Sequence, residues 1–390
     1  MSNVNFIKKQ SNVTVTIESP KRNYDCHAVP DGFDVINQNS IETGYFVFTM
    51  MPSLRCELNC PHCYLSKEER RNSPVMSLEQ LKEVMDKVVA YYSDKDIKTK
   101  FISFYWYGGE PTQMGIDYMV KAFQMIEDTF TEEGGFAIRH TLLTSLIQVE
   151  EYWFEFFEKW CGGYFQTSFD GLMRGKSYMK NWEAEVRKAR ERGISVGTIT
   201  VVNNKILEDT PKGVLDYLVE LGITEASFLP MMRNVQNEKV HYGKYAPSMD
   251  AYSQFMIELM EYWYELEAKG VSLPAIGQSH YVTSRETLDQ NGNVAGQTLF
   301  IMPNGDYVLP DYKDGYTEFM LPFGNAFETN FEDILHSKAR RKYMSRQYTA
   351  NKNIECIECD KRHQCIMEFW KENREGDDCF GAKKYVNWLT

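Results

Sequence analysis

Arg55-Cys56-Glu57-Leu58-Asn59-Cys60-Pro61-His62-Cys63-Tyr64 sets three cysteines within eight residues, spaced by three residues and then by two. A loop this short brings three thiolates to one side of a single metal centre, and soft thiolates select zinc or iron–sulfur. An iron–sulfur cube normally takes four cysteines. Three leave one iron open to a substrate or cofactor. The alternative is a tetrahedral zinc site completed by His62 or by a distant residue. On spacing alone both stand.

Working outward, Tyr45–Met50 is an apolar run that reads as a buried strand feeding the cysteine loop. Ser77 opens a helix with Gln80 placed for a capping box, and Leu78, Leu81, Val84, Met85, Val88 and Val89 recur at helical spacing. Further strands are read at 101–107, 137–143, 164–167, 195–201 and 225–229. The helices between them are read at 117–130, 150–160, 178–192 and from Pro211 to Leu221, the last capped by Thr210. Six strand–helix alternations with near-continuous apolar strands imply a parallel sheet with helices outside. Right-handed crossovers curl six such units into a partial (β/α)6 TIM-like barrel. In barrels the chemistry sits at the C-terminal ends of the strands, where the cysteine loop, Glu110, Ser145, Ser168, Asp170 and Asn203 all fall. Before the barrel, residues 1–44 form an extension with one strand around Val13, Val15 and Ile17. Cys26-His27 there, and Cys161 after the aromatic-rich helix at 150–160, read as structural. A long helix, Met249–Lys269, bridges to the C-terminal part. The expected divisions are 1–44, 45–235, 236–295 and 296–390.

With 390 residues and 43% hydrophobic content the chain can bury a sizeable core. A formal net charge of −12 argues against a nucleic-acid partner. No apolar run reaches membrane-spanning length and the first residues lack the order of a secretory signal, so a soluble cytoplasmic protein is expected, with no membrane partner. The nine cysteines cluster as metal ligands and not as a disulfide framework.

The Cys56–Cys63 stretch resembles the CxxxCxxC signature of the radical S-adenosylmethionine (radical SAM) superfamily. The resemblance implies a [4Fe-4S] cluster on Cys56, Cys60 and Cys63, with SAM chelating the fourth iron. It also implies reductive cleavage to a 5′-deoxyadenosyl radical that abstracts hydrogen from substrate. His62 and Tyr64 would pack near the adenine. Gly108-Gly109-Glu110-Pro111 resembles the same family's GGEP motif: the glycines would let the backbone approach a ligand, and Glu110 would meet the ammonium of SAM. Ser168-Phe169-Asp170-Gly171 is similar to the family's Ser-x-Asp-Gly. Two departures accompany it. Relatives continue with His-Asp-x-x-Arg, where this chain offers Arg174 at a shorter spacing. They also often read Thr-Asn-Gly, where this chain has Thr144-Ser145-Leu146.

Cys356, Cys359, Cys365 and Cys379 form a second group of four, closed enough for a structural zinc or for a cluster. Residues Met302–Pro310 and Phe323–Leu335 look like the SPASM domain appended to many radical SAM peptide maturases, which usually carries two auxiliary clusters. Here Phe369 stands at one ligand position and Pro310-Asp311 at another. The resemblance therefore implies one auxiliary [4Fe-4S] cluster, on these four cysteines, and no first auxiliary cluster.

Three functions follow as expectations. The first is radical modification of a peptide by crosslinking, epimerisation or oxidation, with a reductant such as flavodoxin or ferredoxin. The second is the same chemistry on a small molecule such as a sugar, nucleoside or antibiotic intermediate. The third is a zinc-binding scaffold, which would leave Gly108–Pro111 unexplained. Asp306, Asp311 and His280 are polar, but nothing in the sequence selects one of them as a general base.

Overall fold

The computed structural model describes residues 15–21, 40–97, 100–277, 294–309, 321–341, 358–361, 377, 379 and 382–390. Six strands run in chain order: β1 (Tyr45–Met50), β2 (Phe101–Trp106), β3 (Ala137–Thr144), β4 (Tyr164–Ser168), β5 (Ser195–Val202) and β6 (Glu225–Pro230). Each pairs in parallel with the next. The helices between them are α1 (Lys67–Asn72), α2 (Leu78–Ser93), α3 (Ile116–Glu127), α4 (Glu151–Trp160), α5 (Lys176–Glu191), α6 (Asn204–Glu208) and α7 (Pro211–Glu220). The local signals act as expected. Ser77 and Gln80 bond each other's backbone N–H at 3.1 and 3.0 Å, and Leu81, Val84, Met85, Val88, Val89 and Tyr92 make the buried stripe of α2. Thr210 Oγ1 caps α7 on the Gly213 N–H at 3.2 Å.

The strands differ from their sequence reading in one respect. They are not continuously apolar but alternate. Phe48, Phe104, Leu142, Phe165, Val196 and Phe228 are buried beneath the helices. The opposite face carries Tyr105 paired with Thr141 and, one step further along β3, Leu143 in register with Gln166, Gly197 and Glu225. Side chains there form a chain along the face: Tyr105 on β2 donates to Gln166 Oε1 on β4 (2.8 Å), Gln166 Nε2 to the Tyr164 hydroxyl of the same strand (2.9 Å), and Tyr164 to Glu225 on β6 (2.9 Å). A polar inner face is what a barrel that receives a ligand needs, since buried polar groups must be bonded.

The sheet also extends at both edges. A two-residue strand, β7 (Ala275–Ile276), pairs with β6. On the other side β8 (Thr298–Ile301) runs parallel to β1, and β9 (Asp306–Leu309) and β10 (Leu321–Asn325) follow antiparallel. The order is β10-β9-β8-β1-β2-β3-β4-β5-β6-β7, so the C-terminal strands continue the barrel's own sheet beside the strand that bears the cysteine loop. After β6 come a short turn of helix α8 (Gly243–Tyr245) and the long α9 (Met249–Ala268). That helix packs on α7 and on the last helix of the chain, which spans Lys383–Leu389. Among the described residues no helix is long and apolar enough to cross a membrane.

Of the expected N-terminal strand, Val13 lies outside the described residues, and residues 15–21 form no strand. Instead Ile17 is buried, and Trp160 Nε1 on α4 donates to the Glu18 carbonyl at 2.8 Å. Cys26-His27 lies outside the described residues. Cys161 caps α4, buried, its N–H donating to the Phe157 carbonyl at 3.1 Å, as a structural cysteine would.

Candidate active site

The cysteine loop leaves the C-terminal end of β1 and is stapled by the short helix that follows it. Cys56 N–H donates to the Arg70 carbonyl at 3.0 Å, and Cys63 N–H to the Cys60 carbonyl at 3.1 Å. Ser73 Oγ accepts from the Leu54 N–H at 2.9 Å, and Arg55 Nε donates to the Ser73 carbonyl at 2.7 Å. The Arg70 guanidinium donates to the Leu58 carbonyl and, at 2.8 Å, to Asn59 Oδ1. Sequence reasoning missed Arg70 and Ser73. The Ser66-x-x-Glu69 capping box, which starts α1 at a fixed offset from Cys63, was the signal that could have found them.

Gly108 and Gly109 lie against the backbone of this loop. A Cβ on Gly109 would lie 2.2 Å from the Arg55 carbonyl oxygen and 2.3 Å from that of Leu54. Gly108 has φ +122°, and a Cβ there would lie 2.9 Å from the Ser53 carbonyl oxygen. The close approach is to the cysteine-loop backbone, sealed by Glu110 N–H donating to the Arg55 carbonyl at 2.7 Å.

Glu110 is buried and gathers the ends of β2 and β3. Its Oε1 accepts from the Thr112 N–H (3.3 Å), the Thr112 hydroxyl (2.7 Å) and the Thr144 hydroxyl (2.7 Å). Its Oε2 accepts from the Ser145 N–H (2.8 Å) and the Ser145 hydroxyl. Leu146 has φ +58°, the left-handed region that glycine favours.

A second cluster lies beside the thiols. Asp170 Oδ2 accepts from Arg174 Nε at 2.5 Å, and Oδ1 accepts from the Val201 N–H at 2.7 Å. Arg174 lies over the Tyr178 ring at 5.1 Å, and its Nη2 is 3.5 Å from His62 Nε2. A guanidinium only donates, so at that contact Nε2 accepts and the ring proton sits on Nδ1, which is buried with no hydrogen-bond partner among the described residues. The shortened spacing thus still brings Arg174 to the site. Tyr178 donates to the Ser145 and Ser168 carbonyls, both at 3.1 Å. Tyr64 reaches the Gly108 carbonyl at 3.5 Å and its ring lies 6.3 Å from that of Tyr107. Asn203 departs from its expected role, because the fold uses its whole amide. Oδ1 caps α6 on the Lys205 and Ile206 N–H groups, and Nδ2 donates to the carbonyls of Asp170 and Val201. Asn234 was not anticipated: its Nδ2 donates to the His62 carbonyl at 3.3 Å, in a turn it closes with Asn237.

Burial dominates the electrostatics. It pushes the Cys56 thiol up to about 12, helped by the Glu110 charge, and the Cys60 thiol up to about 11 against the pull of Arg174. Cys63 is raised by burial too. Burial pushes His62 down to about 4, with Asp170 opposing, so its imidazole is neutral at pH 7. Asp170 is buried, which opposes ionisation, but Arg174 and His62 hold its carboxyl below the usual range. Three thiols that repel one another when ionised, in a pocket that penalises lone anions, suit a cationic iron centre that takes up all three as thiolates. Among the described residues no three His, Cys, Asp or Glu side chains gather tightly enough for a single metal ion. The donor set and the orphaned His62 N–H fit a cluster with a further ligand beside it.

Of the C-terminal cysteines, Cys379 accepts from the Lys383 N–H at 3.4 Å, and Cys359 lies 3.9 Å from Asp360 Oδ1. Cys356, Cys365, Phe369 and Pro310-Asp311 lie outside the described residues, as do His280 and the expectation of a missing first auxiliary cluster that rests on them.

Comparison with known proteins agrees with this site. Residues 50–218 match the family model of the radical SAM superfamily, and residues 293–360 match that of SPASM, an iron–sulfur cluster-binding domain. The serine-type anaerobic sulfatase-maturating enzyme of Klebsiella aerogenes is 23% identical over 270 residues, covering 66% of this chain and 64% of that enzyme. In fold the chain resembles anSMEcpe with bound AdoMet, at a TM-score of 0.68 and 16% identity over 88% of this chain and 94% of that one. It also resembles Streptococcus suis SuiB bound to its precursor peptide SuiA, at a TM-score of 0.57 and 16% identity over 81% and 70%. The radical SAM match brings a [4Fe-4S] cluster and SAM, and the SPASM match adds auxiliary iron–sulfur binding. From the cysteine loop at the end of β1 to the strands that continue the sheet beside it, the chain is a radical SAM protein with a SPASM domain.

Proposed function

We propose that this protein is a peptide-modifying radical SAM enzyme. Reductively cleaved SAM supplies a carbon radical that takes hydrogen from an unactivated carbon of the substrate. The chain's own residues hold and orient. Cys56, Cys60 and Cys63 bind three irons, Arg70 fixes their loop, and Glu110 meets the cofactor's amino group. Arg174, charged and fixed on Asp170, stands by Cys60 for an anionic group. The polar inner face from Tyr105 to Glu225 receives the substrate. Cys356, Cys359, Cys365 and Cys379 carry one auxiliary cluster.

The observation that carries this reading is the joint arrival of the three thiols, Glu110 and the Asp170–Arg174 pair at the C-terminal ends of the parallel strands β1, β2 and β4 of one sheet. Support for a peptide comes from the curated relative, named as a sulfatase-maturating enzyme, and from neighbours of like fold whose structures contain peptides. The test is anaerobic reconstitution with iron and sulfide, then dithionite and SAM. 5′-Deoxyadenosine is expected from the wild type and not from Cys56→Ala. Cys359→Ala should spare SAM cleavage more than modification of a peptide. Colourless protein that holds only zinc would refute the proposal.

A further inference from the structure

The Glu110 carboxylate has more donors than places for them. Five hydrogen bonds converge on it, from the Thr112 N–H and hydroxyl, the Thr144 hydroxyl, and the Ser145 N–H and hydroxyl. A carboxylate offers about four lone-pair sites. A ligand ammonium can therefore bind here only where a present donor withdraws.

The donors differ in how freely they can do so. Two are backbone N–H groups. The Thr144 hydroxyl is fixed from both sides, because it also accepts from the Leu146 N–H at 3.1 Å. The Thr112 hydroxyl lies on the crowded Oε1 within Glu110's own turn. The Ser145 hydroxyl shares Oε2 with one backbone N–H alone and turns about a single bond. It has a further property the amides lack: once its proton turns away, its oxygen can accept a hydrogen bond from the cation that displaced it. The backbone cannot relax instead, since Leu146 is already held at φ +58° with its side chain buried.

We propose that the Ser145 hydroxyl occupies the place on Glu110 Oε2 that the ammonium of SAM takes on binding. Ser145 is then a positioning residue that limits affinity for the cofactor's amino end while keeping the carboxylate aligned in its absence. Thr144 acts in the opposite sense, as a fixed anchor. The inference rests on the proposed role of Glu110.

The two senses separate experimentally. SAM binding to anaerobically reconstituted protein would be measured by equilibrium dialysis, and melting temperature on the iron-free protein. Ser145→Ala should lower the melting temperature yet tighten SAM binding by about fivefold, the equivalent of one hydrogen bond. Thr144→Val should lower both together. Weaker or unchanged SAM binding in Ser145→Ala would overturn the proposal, because the hydroxyl would then be only an anchor. If Ser145→Ala fails to take up iron, Ser145→Cys, similar in size with a weak donor, is read by the same criterion. A wild type that takes up iron but binds no SAM would overturn the reading of the whole site, a result distinct from failure at Ser145 alone.

Discussion

Gly109→Ala tests whether the glycines serve the cysteine loop or a ligand. The added methyl would sit 2.2 Å from the Arg55 carbonyl oxygen, 2.3 Å from that of Leu54 and 2.4 Å from the Leu54 carbonyl carbon. All three are backbone atoms, so no side chain can swing aside. Overpacking of this kind costs about 1–3 kcal/mol when neighbours can shift. Here the shift must also break the Glu110 N–H bond to the Arg55 carbonyl, for about 1 kcal/mol more. A total of about 2–4 kcal/mol is a large part of the ~5–15 kcal/mol that holds a domain. The cheaper escape is to displace residues 54–56 and with them Cys56. Iron bound per chain after reconstitution should therefore fall by more than half, while urea denaturation of the iron-free protein shows a loss smaller than the full clash. Full iron content together with an unchanged denaturation midpoint would refute the packing account. So would normal iron content with loss of SAM binding alone, which would return the glycines to a ligand-facing role.

Other residues give further tests. Arg70→Met removes two bonds to the loop carbonyl and to Asn59; iron loss to a chelator should quicken about tenfold, with a change in melting temperature of no more than about 3 °C. Asp170→Asn leaves the Arg174 guanidinium buried without its counter-charge, which should cost about 3–5 kcal/mol in urea denaturation; a loss under about 1 kcal/mol would mean solvent already screens the pair. For pH, the folded His62 is held near 4, below its ordinary 6.5. The unfolded chain therefore binds the extra proton first, and stability falls as pH drops from 6.5 to 4. The effect is about 2–3 kcal/mol, and His62→Phe in the iron-free protein should flatten that slope. Finally, because Cys56 and Cys60 are protonated at neutral pH, iron uptake should release protons and strengthen as pH rises from 7 to 9, readable as base consumed per iron bound.

Strand order and the placement of the motifs were legible because they depend on local signals. Capping residues, helical stripes and turn residues each occupy a fixed offset from their element, so Ser77–Gln80 and Thr210–Pro211 could be read directly. The inner face was not legible. Tyr105 on β2, Tyr164 and Gln166 on β4, and Glu225 on β6 are far apart in sequence, and only the parallel register aligns them. Nor could the sequence tell which oxygen a glycine must make room for, since that depends on where β1 and β2 end relative to one another. The same holds for Asn203. At the end of a strand it reads as a ligand, but it also opens a helix, and the cap takes its oxygen.

Thr144-Ser145-Leu146 forms a turn in which a leucine takes the left-handed conformation. A left-handed residue other than glycine costs about 1–2 kcal/mol, and Leu146 bears that cost at φ +58°. Its side chain is 1% exposed and packs in the main core, and burying a leucine returns about 1.5–3 kcal/mol. The two nearly balance, so a leucine can hold the left-handed position of this turn. What the turn delivers to Glu110 is a backbone N–H from residue 145 and a hydroxyl from residue 144. The first depends on no side chain, and the second comes from Thr144. The side chain of residue 145 is thereby free to vary, and a serine there brings a donor that competes for the carboxylate it helps to hold.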